Sequence, residues 1–248
     1  MSTIYILWLR QLKRYSRSKS RIIGSLGQPL LFLVALGFGF GPIYQKAGGG
    51  NYIQFLVPGI IAMSILFSAI FSGIEIIWDK QFGFLKETLV APVSRFNIMI
   101  GRTLGGATVA TLQGIIVLLT SLIIGFRPGS IIMILPGLVF MFLVALLFAA
   151  LGTTIASVLE DMQGFQFIMS FLVMPLFFLS GALFPLQGFP KAIGIVASIN
   201  PLSYGVDGLR GTLANGAHFG LGLDFTVLVA ITLVLFLLGS YLFSKMQI

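Results

Sequence analysis

The stretch TLGGATVATLQGIIVLLTSLIIGF, residues 103–126, runs from Arg102 to Arg127 without a charged side chain. A helix of about 20 apolar residues crosses a hydrocarbon core ~30 Å thick, and this stretch is long enough. In lipid the backbone must satisfy its own hydrogen bonds, so the stretch reads as a helix. Five more charge-free intervals repeat the pattern: Arg21 to Lys46, Lys46 to Glu75, Arg127 to Glu160, Asp161 to Lys191 and Asp224 to Lys245. Each is mostly Leu, Ile, Val, Phe, Ala and Gly. The sequence therefore predicts an all-α membrane protein with six transmembrane helices.

Composition agrees. The 248 residues are 57% hydrophobic and 9% charged, with mean hydropathy +1.05, whereas soluble domains carry about 25% charged residues. Six spans and their loops use almost the whole length and leave no separate water-soluble domain. Without cysteine there is no disulfide, thiolate metal site or cysteine nucleophile. The net charge of +8 is explained by membrane topology, since cytoplasmic flanks collect Lys and Arg; no nucleic-acid partner is expected.

The basic residues set the orientation. Arg10, Lys13, Arg14, Arg17, Lys19 and Arg21 precede the first span, Lys80, Lys86, Arg95 and Arg102 follow the second, and Lys245 follows the last. Only Lys46, Arg127, Lys191 and Arg210 fall on the other side. Both termini are thus expected in the cytoplasm of a cell whose inner membrane holds the chain. The basic region and the apolar run after it are too long for a cleaved signal peptide. Residues 1–21 are expected to form an interfacial helix and residues 22–248 the transmembrane domain. At ~100° per residue, Arg10, Arg14, Arg17 and Arg21 share one face of the first helix, and Ile4, Trp8, Leu12 and Tyr15 the opposite one. Such a helix lies in the membrane interface, rings toward lipid and cations toward phosphates.

The spans are read at residues 22–43, 53–78, 102–126, 131–159, 163–184 and 225–243, with a cytoplasmic loop at 79–101. Residues 185–223 are too long for a simple outer loop, and their apolar pieces are too short to cross. Pro185, Pro190, Pro201 and several glycines interrupt them, which predicts short re-entrant outer helices before the last span.

Enzymatic chemistry is scarce. His218 is a lone loop histidine, read as solvated. Ser180 has no intramembrane histidine to serve as its base. Neither HExxH nor GxxxxGK[ST] occurs, so the chain shows no zinc-protease site and no P-loop of its own. Glu75 and Asp79 are read as the only acids near a span, an end-of-helix pair near Lys80. The polar groups within spans are neutral, among them Gln28, Gln113, Gln166, Ser64 and Ser68; such groups join helices or line a pathway. A transporter built this way draws its energy from elsewhere. In the cytoplasmic loop, residues 80–90 can form a short helix ended by Pro92. Its Phe84, Leu85, Leu89 and Val90, beside Lys86 and Glu87, need a surface to bury in, and a groove on a soluble partner would serve.

The segments FLKETLVAPVSR (84–95), LSGALFP (179–185), NPLSYGVDGLR (200–210) and YIQFLVP (52–58) resemble, in order and in the same topological places, motifs of type-2 ABC exporter permeases, most nearly the drug- and nodulation-type branch. The resemblance implies a membrane subunit paired with a second permease copy and two ABC ATPase subunits. The ATPases would bind ATP and Mg; no cofactor or metal is expected on this chain, and it is not itself an enzyme. It further implies that Phe84, Leu85, Lys86, Glu87, Leu89, Pro92 and Arg95 belong to the ATPase-coupling loop. Trp8, Arg10, Arg14, Arg17 and Arg21 would belong to the interfacial helix, and Asn200, Pro201, Tyr204, Asp207 and Arg210 to the outer re-entrant motif. With the first, second and fifth spans as the family's pathway, Gln28, Ser68, Gln166 and Phe171 become the candidate pathway residues. Export of a hydrophobic, amphipathic or lipid-linked substrate is the expected function. A polysaccharide or lipid-linked glycan exporter, and a non-transporting membrane anchor for a cytosolic partner, are the alternatives.

Overall fold

The computed structural model describes residues 3–48, 50–84, 93–186 and 190–245, with Arg21 described in its backbone only. The described residues are helical with no strand. In chain order the helices are α1 (Thr3–Arg17), α2 (Lys19–Lys46), α3 (Tyr52–Phe71), α4 (Ile74–Gln81), α5 (Arg95–Ile124), α6 (Ile134–Val158), α7 (Met162–Phe178), α8 (Lys191–Ile199), α9 (Pro201–Leu213) and α10 (Leu221–Ser244).

Five segments are long and apolar enough to cross a membrane: α2, α3 with α4, α5, α6 and α10. The apolar α7 is shorter, at 17 residues, which at ~1.5 Å per residue falls short of ~30 Å. The predicted fifth span at 163–184 thus ends early. Leu179 and Ser180 close a turn onto Pro175 and Phe177, and Gly181 follows at φ +76°, which a continuing helix cannot hold. A π-helical turn at Met169–Val173 precedes Pro175, whose missing N–H leaves the Phe171 carbonyl without its regular partner.

α3 is the axis of the bundle. Its centre, from Leu56 to Leu66, is buried throughout, and it packs on α2, α5, α6 and α9. The apolar window of α3 and α4 is 72% buried, that of α2 and of α10 only 17%. Those two helices accordingly present Leu31, Val34 and Phe38, and Val234, Leu237 and Tyr241, outward. Exposed apolar faces are unfavourable in water and suited to lipid or to another apolar surface.

The read span at 53–78 is broken at Ser72-Gly73, where Ser72 Oγ donates to the Ala69 carbonyl and the Gly73 N–H to that of Ile70. The break lets α3 and α6 touch backbone to backbone: a Cβ on Gly152 would stand 2.6 Å from the Ile70 carbonyl oxygen. α5 begins two turns before the read boundary at residue 102, because Ser94 caps it by accepting the Asn97 N–H at 3.2 Å. Arg95, assigned to the coupling loop, is therefore the first residue of α5. Lys80 belongs to α4, and Gly83 at φ +80° turns the chain after it. Leu85, Lys86, Glu87, Leu89 and Pro92 lie outside the described residues. α1 ends at Arg17, so Arg21 falls in the first turn of α2.

Replacing Gly152 with Ala should force α3 and α6 apart, at a cost of about 1–3 kcal/mol. Gly24→Ala faces open space and should leave stability unchanged. Thermal unfolding of the purified protein checks the pair.

Candidate functional site

Glu75 and Asp79 stand one turn apart on α4, both buried. Asp79 is gripped by Arg102 of α5, Nη2 to Oδ2 at 2.5 Å, with Arg10 of α1 at 3.7 Å. Glu75 faces Arg14 of α1 at 3.5 Å. Arg102 is only 4% exposed, so its charge is compensated by Asp79 rather than by water. The reading of an acid pair beside Lys80 is corrected: Lys80 Nζ donates instead to the Leu159 carbonyl at 3.1 Å and to that of Ser157 at 3.5 Å, at the C-terminal end of α6. Arg95 Nη1 donates to the Ser244 carbonyl at the end of α10, at 2.6 Å.

α1 is fastened by the same cluster. Gly101 and Gly105 of α5 leave room for Ile4, Leu7 and Gln11, and Trp8 Nε1 donates to Thr108 Oγ1 at 3.0 Å. Trp8 and the buried Tyr15 thus face the protein, while Tyr5 and Ile6 are the exposed apolar residues of α1. Two of the four arginines grouped on one face, Arg10 and Arg14, turn toward α4; Arg17 is exposed.

Above Glu75 a cavity of about 770 Å³ opens between α2, α3, α5 and α7. It brings together three of the four candidate pathway residues, Gln28, Ser68 and Gln166. Phe171 is not among them. It is 80% exposed and borders a separate groove of about 250 Å³ beside α8. The cavity adds Ser25, Ser64 and Gln113, aromatic walls at Phe67, Phe71 and Trp78, and Arg14 and Glu75 at its α1 end. Ser25 was missed. Its spacing was the available signal, since Ser25 and Gln28, like Ser64 and Ser68, sit at helical i, i+3 and i, i+4 intervals.

At the far end the NPLSYGVDGLR segment is a fastening. Asn200 caps α9 by accepting the Leu202 N–H at 3.0 Å, and its amide donates to the Leu176 carbonyl at 2.6 Å, covering an unpaired end of α7. Tyr204 donates to the Ser198 carbonyl at 2.7 Å. Asp207 accepts the N–H groups of His218 and Phe219, so the His218 segment is held by its backbone. Arg210 donates to the Gly181 carbonyl at 2.9 Å and lies 3.9 Å over the Phe55 ring. Burial pushes its pKa down to about 10 against the opposing pull of Asp207, which leaves it charged at neutral pH. Asp224, in the first turn of α10, is fully buried near Asp207. Glu75 and Asp79 are therefore not the only acids near a span.

The family model described as ABC-2 type transporter matches residues 2–214. The chain belongs to the ABC-2 type transporter family. Nodulation protein J of Rhizobium leguminosarum bv. viciae is 26% identical over 242 residues, covering 96% of this chain and 93% of that protein. The transport permease ycf38 of Pyropia yezoensis is 31% identical over 200 residues, covering 78% of this chain and 68% of the relative. The same permease of Porphyra purpurea is 30% identical over 202 residues, with 80% and 69% covered. The chain is accordingly a multi-pass membrane protein and the permease of an ABC transporter. Membership of the family implies partnership with an ABC ATPase.

Arg102→Leu should leave the buried Asp79 with only the half-exposed Arg10 as a partner, at 3.7 Å, and cost up to about 3–5 kcal/mol. Combining it with Asp79→Leu should recover much of that loss. A double-mutant cycle on thermal stability reads the coupling, and simple additivity of the two losses would show that the pair does not hold α4 to α5.

Proposed function

We propose that this permease exports a hydrophobic, amphipathic or lipid-linked substrate. Two copies of the chain would work with two ATPase subunits that bind ATP and Mg. The cavity that collects Gln28, Ser68 and Gln166 from three helices carries this reading. Apart from the paired Arg14 and Glu75 at its α1 end, its polar groups are neutral, which suits an amphiphile. The exposed apolar faces of α2 and α10 support burial in lipid and against a second copy. In this reading the chain crosses the inner membrane six times with both ends in the cytoplasm, α7 being the fifth crossing.

Energy enters at the loop after α4. Phe84, whose side chain is half exposed, begins the segment that would dock in a groove of the ATPase together with Leu85, Leu89 and the charges of Lys86 and Glu87. α4 leads directly into this segment, and α1 is joined to α4 through Arg10 and Arg14. A push on the loop would therefore move α1 and the α1 end of the cavity together.

Phe84→Asp with Leu89→Asp places charges in a desolvated contact and should weaken ATPase binding by about 2–5 kcal/mol. The chain should still insert, while co-purification with the ATPase and transport are lost; retention of both would remove the loop from the coupling route. Topology has its own test, because the chain lacks cysteine. Gly216→Cys should react with an impermeant thiol reagent on intact cells, and Gly83→Cys only after permeabilisation. External labelling at Gly83 would reverse the orientation.

A further inference from the structure

Asp224 stands in the first turn of α10 with 0% of its surface exposed. Neither of its carboxyl oxygens receives a hydrogen bond from an N–H or O–H group among the described residues. The free N–H groups of a helix's first turn ordinarily favour an anion, but those of α10 do not donate to this side chain. A bare carboxylate so placed would lose its hydration with nothing in return. The group within hydrogen-bonding reach is another acid, Asp207 of α9, itself 3% exposed.

Two carboxyls bond to one another only when one of them is protonated, and their surroundings decide which. Asp207 Oδ1 accepts the His218 N–H at 2.7 Å; Oδ2 accepts the same N–H at 2.9 Å and that of Phe219 at 2.7 Å. Those donors, with the Arg210 guanidinium one turn along α9, hold Asp207 as the carboxylate. A lone pair on Oδ1 remains for one more donor. Asp224 is offered no donor, so it is the partner that keeps the proton. The other titratable groups on the neighbouring elements are engaged elsewhere or distant. Tyr204 of α9 donates to the Ser198 carbonyl, Tyr52 of α3 to that of Leu183, and the exposed His218 ring packs against Phe219. Lys191 of α8 is exposed, α6 carries no titratable side chain, and Arg95 and Arg102 of α5 stand at its opposite end.

We propose that Asp224 donates a proton to Asp207, so that one shared proton clasps the outer helix α9 to the last long helix α10, and that the clasp loosens when the proton is lost to hydroxide in an alkaline medium. Its loss leaves two anions side by side where no water screens them. α10 is the element free to yield, because its apolar window is only 17% buried, whereas α9 is tied to α7 and to the Gly181 turn through Asn200 and Arg210. The folded chain thus holds a proton that the unfolded chain releases near neutral pH. The stabilisation is complete in acid, below the range where a free aspartate ionises. It declines as pH rises, and is gone once the folded chain has lost the proton as well.

Two measurements on the purified full-length chain test the clasp. Infrared spectra of wild type at neutral pH should contain the carbonyl stretch of a protonated carboxylic acid. That band should shift when the chain is made with isotopically labelled aspartate, and should be missing from Asp224→Asn. Labelled wild type gives the band by itself, so the reading stands even where the variant folds poorly. Equilibrium unfolding in mixed micelles gives the consequence. Asparagine offers an N–H to Asp207 at every pH, so Asp224→Asn should match wild type in acid and exceed it in alkali. The wild-type unfolding constant should rise relative to the variant by about tenfold per pH unit across the interval in which only the folded chain keeps the proton. No such infrared band, or one that survives in Asp224→Asn, would overturn the shared proton. An identical pH dependence of unfolding in the two proteins would overturn the clasp. Stabilisation of wild type but not of Asp224→Asn by sodium or calcium ions would place a metal cation between the carboxylates and overturn the proton's role.

Discussion

The Asp79–Arg102 bridge organises one end of the molecule. A carboxylate and a guanidinium are both withdrawn from water there, and each is tolerable only because the other is in place. Around that pair the neighbouring elements are held by further cations. Arg10 approaches the same carboxylate from α1, Arg14 meets Glu75 one turn away, Lys80 covers the last carbonyls of α6, and Arg95 reaches the end of α10. The basic residues that bias topology thus also neutralise buried acids and satisfy helix C-termini whose carbonyls have no partner within the helix.

The opposite end solves the same problem with a different chemistry. α7 stops early, so its final carbonyls and the turn after it need donors. Asn200 serves Leu176, Arg210 serves Gly181, and Tyr52 serves Leu183 at 3.1 Å. Asp207 in turn holds the chain that leads into α10. Besides these fastenings, the bundle holds the cavity lined by Gln28, Ser68 and Gln166.

The close helix contacts explain why glycine is concentrated where it is. Gly101 and Gly105 admit α1 onto α5, and Gly73 and Gly152 admit α3 onto α6. In lipid no hydrophobic force drives helices together, so small residues that permit close van der Waals packing take its place. The apolar faces of α2 and α10 lack such contacts among the described residues and remain outward.

Hydropathy and charge spacing determined the membrane class, the long apolar helices and the basic end of the chain, because the cost of placing a charge or an open backbone in hydrocarbon is paid residue by residue along the sequence. The four motif segments likewise carried the family. Gln28, Ser68 and Gln166 line one cavity, whereas Phe171, on the same α7 as Gln166, faces away because the π turn and helix phase decide direction locally. That Arg102 pairs with Asp79, that Lys80 turns to α6, and that Asp224 is buried near Asp207 was decided by tertiary structure alone. Those contacts join residues 17 to 79 positions apart. No periodicity within one helix specifies which face of another it will meet; packing of the whole bundle does.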